Sequence, residues 1–244
     1  MESMKSLEAR GLVKEYDGTV IVDRVDLKVA GNEVVGLLGA NGAGKTTSFN
    51  MIIGLVRQTR GGVFVDGEDI TPLPMHRRAR RGIGYLPQEH SVFRKLTAEQ
   101  NILAVLEAAG KHSAAEGTQI SKNLMDEFGI YHLRDKPAIQ LSGGEQRRVE
   151  IARALALEPA FILLDEPFAG IDPIAVRDIQ HIIGLLKRRG IGVLITDHNV
   201  RETLGICDRA YILHCGKVLI SGPPAAIMAD KQVRDVYLGH DFRI

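Results

Sequence analysis

The chain has 244 residues, room for one large domain or two small ones. Hydrophobic residues make up 45% and charged residues 25%, the ordinary balance of a globular protein with ample apolar material for a core. A formal net charge of +1 excludes an overall field that would gather nucleic acid or an acidic substrate.

No apolar run approaches the roughly 18–20 residues that a membrane-spanning helix needs, so direct membrane insertion is not expected. The first residues, Met1 to Arg10, lack the apolar stretch of a signal peptide. A cytoplasmic protein is expected, acting at a membrane only through a partner. Cys207 and Cys215 have neither CxxC nor metal-ligand spacing and read as reduced, mostly buried thiols.

In chain order, the first strong element is the buried-strand candidate Val34-Val35-Gly36-Leu37-Leu38. It runs into Gly39-Ala40-Asn41-Gly42-Ala43-Gly44-Lys45-Thr46, which fits G-x-x-x-x-G-K-[ST] between a strand and a helical stretch that begins near Thr47. Glycines at this spacing let successive backbone N–H groups converge on phosphates, and the helix adds its positive end. Lys45 is expected to reach the terminal phosphates of ATP and Thr46 to bind Mg²⁺. The basic run from His76 to Arg81 reads as a solvated helix face, because no aromatics interleave with the arginines to stack bases.

From about Thr97 to Leu157 the pattern is helical, for example Ala98 to Ala109 and Glu145 to Leu157, and reads as a helical insertion in an α/β core. Phe161-Ile162-Leu163-Leu164 is a second buried strand, ending in Asp165 and Glu166. Asp165 is the candidate Mg²⁺ holder. Glu166 is expected to point elsewhere, because strand side chains alternate, and is the candidate base for the attacking water. Val193-Leu194-Ile195 is a third strand, and Ala210–Leu213 with Val218–Ile220 reads as a hairpin. Alternating strands and helices predict an α/β fold with a mostly parallel sheet.

Leu141-Ser142-Gly143-Gly144-Glu145 stands about 20 residues before Asp165. With it the chain resembles the ABC ATPases, P-loop NTPases whose signature loop reads LSGGQ or LSGGE. The resemblance covers about Leu7 to Asp230. It implies N-terminal antiparallel strands, an α/β core over 1–88 and 158–222, a helical subdomain over 89–157 and a tail over 223–244. It implies ATP hydrolysis by a homodimer in which Ser142, Gly143, Gly144 and Glu145 cap the ATP held by the other copy's loop, Gly39 to Thr47. Tyr16 would stack on adenine. Gln88 would link Mg²⁺ and water to the helical subdomain. Asp172 would contact the partner's site, and His198 would grip the γ-phosphate. Two departures, Ala40 where proline is common and Gly170 where a bulkier residue is common, remove no phosphate donor.

Within the family, residues 78–88, 161–173, 195–203 and the tail 237–244 are similar to the ATPases that power lipopolysaccharide export in Gram-negative bacteria. That likeness implies two integral inner-membrane partners resembling LptF and LptG, and a station on the cytoplasmic face of that membrane. It also implies a groove at Phe93 and Arg94 for a membrane-subunit helix, and a tail with Tyr237 and Phe242 in the dimer contact. ATPases of branched-chain amino-acid importers share most of these motifs. Non-transport ABC ATPases of translation or DNA repair usually carry tandem domains or long coiled coils, and neither shows here.

Overall fold

The computed structural model describes residues 5–238. They form two compact units, one up to Ile83 and again from Ala160, the other Gly84–Pro159.

The strands form two sheets. Strands β1 (Ser6–Tyr16), β2 (Thr19–Ala30), β4 (Arg60–Val65) and β5 (Glu68–Asp69) make an antiparallel sheet of order β2-β1-β4-β5. Strands β3 (Val34–Gly39), β6 (Ile83–Leu86), β7 (Phe161–Asp165), β8 (Gly192–Thr196), β9 (Arg209–His214) and β10 (Lys217–Gly222) make the larger sheet, of order β10-β9-β3-β8-β7-β6. Here β3 runs parallel to β8 and β9, β7 runs parallel to β8, and the terminal hairpin β9–β10 is antiparallel. The expected strands are therefore present. All residues of β3 and β8 are buried, which is why they read as continuous apolar runs: a parallel sheet is covered on both faces.

Helix α1 (Lys45–Ile53) follows β3, and the short α2 (Met75–Ala79) carries the start of the basic run. Arg78 corrects the expectation of a solvated face: it is 3% exposed. Its guanidinium donates to Leu73 O at 2.8 Å, Met51 O at 2.7 Å, Ile52 O at 2.6 Å and Thr71 O at 2.9 Å. Met51 and Ile52 lie in the last turn of α1, whose carbonyls have no partner within the helix, so Arg78 caps the helix that begins at the phosphate loop. Gly54 makes this possible. It sits at φ 86, and a Cβ there would come 2.9 Å from Arg78 Nε.

The second unit is mainly helical, with α3 (Ala98–Ala109), α4 (Ala114–Glu127) and α5 (Gly143–Leu155). Each opens on a capping box: Thr97 with Gln100, Ser113 with Glu116, Ser142 with Glu145. Returning to the first unit, α6 (Pro173–Arg188) joins β7 to β8, and α7 (Val200–Leu204) and α8 (Pro224–Ala229) follow. Cys207 is buried and its thiol is pushed up to about 12 by burial, whereas Cys215 is exposed, against the expectation of two buried thiols.

Replacing Arg78 with alanine leaves two buried carbonyls, of Met51 and Ile52, and two half-buried ones, of Leu73 and Thr71, without their donor. Urea unfolding followed by circular dichroism should show a loss of about 2–4 kcal/mol, against less than about 0.5 kcal/mol for Arg80→Ala on the exposed side. Equal losses would remove the capping role.

Candidate functional site

The register of the parallel strands sets the site. Leu37 of β3 and Asp165 of β7 both pair with Thr196 of β8, so three strands end at one level. Loops leaving such carboxyl ends form the crevice where open α/β sheets bind ligands.

From β3 the chain enters the glycine loop. Gly39 lies at φ 149, and a Cβ there would sit 2.2 Å from Leu213 O, so no other residue fits. Gly44, the residue before α1, is in the left-handed region and has no side chain to cap the helix. The first N–H groups of α1 are thus left without a side-chain cap, and with the helix dipole behind them they suit an anion. Lys45 is 8% exposed, and its ammonium donates to Gly39 O at 2.6 Å and Ala40 O at 3.0 Å. Two of its three protons are so engaged. Burial pushes its pKa down, with Glu166 and Asp197 pulling the other way.

At the end of β7, Asp165 accepts a hydrogen bond from the Thr196 hydroxyl at 2.7 Å. Burial pushes its carboxyl above the usual range, opposed by that hydroxyl and reinforced by Glu166. Glu166 departs from the expected alternation. It stands at φ 44, a conformation that a non-glycine residue adopts at a cost, and its N–H donates to Thr196 O at 2.7 Å. The turn, not the pleat, sets its direction. Its Oε2 lies 3.5 Å from His198 Nδ1. Asp197, which sequence reasoning passed over, is fully buried and accepts from Phe168 N at 2.9 Å and Asn199 N at 2.7 Å. It ties the loop after β7 to the loop after β8. Burial raises its pKa most, and the two N–H groups oppose the rise. The run Thr-Asp-His after an apolar strand was its only signal.

Thr46 is exposed on the first turn of α1 and Thr47 half-buried. Among the described residues no cluster of three or more His, Cys, Asp or Glu could cage a metal. A hydroxyl and a carboxylate suit Mg²⁺, which takes one or two protein oxygens and completes its shell with phosphate and water.

The other expected residues are placed as follows. Tyr16 ends β1, 46% exposed, with Lys14 Nζ 4.4 Å from its ring centre. Asp172 caps α6, accepting from Ile174 N at 2.8 Å and Ala175 N at 3.0 Å. Tyr237 packs on a cluster of Leu38, Leu204, Ala210, Ile212, Ile227 and Val233 of its own chain, and burial pushes its phenol up to about 12. Phe242 lies outside the described residues. In the second unit, Gln88, Phe93 and Arg94 are exposed. Ser142, Gly143 and Gly144 are exposed too, while Glu145 uses its carboxylate on Ser142 N at 2.7 Å, which holds its pKa down.

A glycine loop on a buried strand, a lysine within it and an acid at the end of a strand two places along define a P-loop nucleotide-binding fold. The family model described as ABC transporter matches residues 22–169, and one described as branched-chain amino acid ATP-binding cassette transporter matches 217–243. The chain is 57% identical over 241 residues to the lipopolysaccharide export system ATP-binding protein LptB of Haemophilus influenzae, covering 99% of this chain and all of that one. It is 60% identical over 238 residues to the protein of that name from Acidithiobacillus ferridurans, covering 98% of each. A crystal structure of an ATP-binding cassette of an ABC transporter, in its ADP conformation, superimposes with a TM-score of 0.85 at 28% identity, over 97% of this chain and all of that one. The chain belongs to the ABC transporter ATP-binding family, and its enzymatic activity is that of an ABC ATPase.

The raised pKa of Asp165 gives a signed prediction. Its proton is held more tightly folded than unfolded, so its contribution favours folding below the unfolded pKa and is lost as pH rises through the folded one. At pH 7 without nucleotide or metal, Asp165→Asn should therefore melt higher than the parent, since the amide oxygen still accepts from Thr196. The gap should close as pH falls towards about 4. Scanning fluorimetry across pH checks it, and a lower melting temperature at pH 7 would refute it.

Proposed function

We propose that this chain is the ATP-hydrolysing motor of a lipopolysaccharide exporter, working as a homodimer beneath two integral inner-membrane subunits resembling LptF and LptG. The observation that carries the chemistry is the meeting of Lys45, Asp165, Glu166 and His198 at the ends of β3, β7 and β8. The cargo rests on full-length likeness, at 57% and 60% identity, to proteins named for lipopolysaccharide export.

The site residues take these parts. The loop from Gly39 to Thr47 cradles the phosphates of ATP, with Tyr16 beneath adenine. Lys45 turns its ammonium from the carbonyls of Gly39 and Ala40 towards the terminal phosphates. Thr46 and Asp165 would hold Mg²⁺, which would supply charge to offset that on the transferred phosphoryl group. Glu166, aimed by its turn, accepts a proton from water as the water oxygen attacks γ-phosphorus and the bond to ADP breaks. His198, beside Glu166, donates to the γ-phosphate. Ser142, Gly143 and Gly144 cap the ATP of the partner copy, Asp172 and the tail residues Tyr237 and Phe242 join the dimer contact, and Gln88 keeps the part that resemblance implies. Binding energy at the signature loop exists only in the closed dimer, so ATP favours closure and hydrolysis releases it. Phe93 and Arg94 meet the membrane subunit.

The match of residues 217–243 to a branched-chain amino-acid cassette model supports a second reading, an importer ATPase with the same chemistry. The Glu166→Gln variant tests both levels. Its turnover should fall by about 10²–10⁴-fold while ATP binding persists and light scattering shows an ATP-dependent dimer. Turnover near that of the parent would remove Glu166 as the base. Purified from its native membranes with ATP and Mg²⁺, the variant should bring down the two exporter subunits; an amino-acid permease in their place would leave the chemistry and replace the cargo.

A further inference from the structure

The segment from Pro87 to Phe93 is irregular backbone between β6 and α3, with no ladder of its own. Its polar groups need partners, and side chains supply them. Arg147 Nη1 donates to Pro87 O at 2.9 Å. Ser91 N–H donates to Glu150 Oε1. Arg153 donates to Ser91 O at 2.9 Å and to Ser91 Oγ at 2.7 Å, and its guanidinium lies 4.8 Å from the centre of the Phe93 ring. Asn101 of α3 accepts from Phe93 N at 2.8 Å and donates to Phe93 O at 3.2 Å.

Arg147, Glu150 and Arg153 fall at successive threes along α5, one turn after another on neighbouring faces. Glu150 is central. Its side chain is fully buried, it accepts from Arg147 Nη1 at 3.2 Å, and His90 Nδ1 lies 3.5 Å away. Burying a carboxylate is costly, and an apolar residue would fill the space more cheaply. What the carboxylate adds is a directed acceptor for a backbone N–H of the loop. The same helix begins at the signature loop, where a Cβ on Gly143 would come 3.4 Å from His90 Nε2.

We infer that Glu150 is a positioning residue that locks the Pro87–Phe93 segment to the signature helix, so that the Ser142 loop and the Phe93 side chain shift as one body. The inference rests on the proposed roles of those two places, nucleotide capping and contact with the membrane subunit. It adds the part that joins them within the second unit.

The chain contains no tryptophan, so Phe93→Trp supplies a single reporter. In a Glu166→Gln background, Mg²⁺ with ATP should change its fluorescence. Adding Glu150→Met, which removes the acceptor for Ser91 N–H and the partner of Arg147, should abolish most of that change while the Kd for radiolabelled ATP stays within about threefold. Arg153→Lys, which keeps the charge and loses the fork, should do the same and serves if the first variant fails to fold. Melting curves identify folded variants. A full signal in either folded variant overturns the inference, and so does a silent tryptophan in the parent that still binds ATP and dimerises. Loss of ATP binding or of the dimer in that parent would instead be a failure of the proposed function, read separately from the same samples.

Discussion

Thr196 is the neighbour of Leu37 on one side and of Asp165 on the other, because β3 and β7 both pair with β8 in parallel. A one-residue slip in either pairing would turn every buried side chain of that strand to the opposite face. The pairing of β3 and β7 with β8 therefore sets the level at which the phosphate loop, the Asp165 carboxylate and the Thr196–His198 loop emerge. The chemistry sits on irregular backbone, and its precision comes from the strands behind it. Asp197 extends this control past the strand ends. By accepting from both Phe168 and Asn199, one buried carboxylate holds the loop after β7 to the loop after β8.

The phosphate loop is fixed at its far end by a different device. Helix α1 has nine residues, too short to be stable alone, so its placement depends on packing and on its termini. Its N-terminus is left open for phosphate, which puts the burden of fixing the helix on the C-terminus. Arg78 meets it by ordering two carbonyls of the last turn and two more from the chain around Thr71 and Leu73. Arginine suits this place because its fork offers five donors in one plane and stays charged when buried.

These features differ in how far they can be read from sequence. The buried strands are legible because parallel strands are apolar throughout, and the phosphate loop because its glycines and lysine must recur at fixed spacing. The three capping boxes are legible as Ser or Thr followed three places later by Glu or Gln. Arg78 is not legible, since a basic run looks the same whether one member is buried or none is, and its acceptors are backbone carbonyls 26 and 27 residues away. Glu150 is hidden for the same reason: it sits in a helix among charged residues, and its partner N–H lies 59 residues earlier. Glu166 shows a subtler limit. The residue is identifiable, but its direction comes from a positive φ that no alternation rule contains.

Burial in the site pushes its charges towards neutrality from both sides. Asp165 and Asp197 are pushed up and Lys45 is pushed down, each with desolvation as the largest cause. Such groups weaken the nucleotide-free fold, and under the proposed function Lys45 and Asp165 are the ones that a phosphate and a metal ion would meet. A cation beside Asp165 and an anion beside Lys45 each favour the charged form that burial opposes. The free energy withheld from the empty site thus returns as differential affinity, and ligand binding stabilises the folded state by mass action.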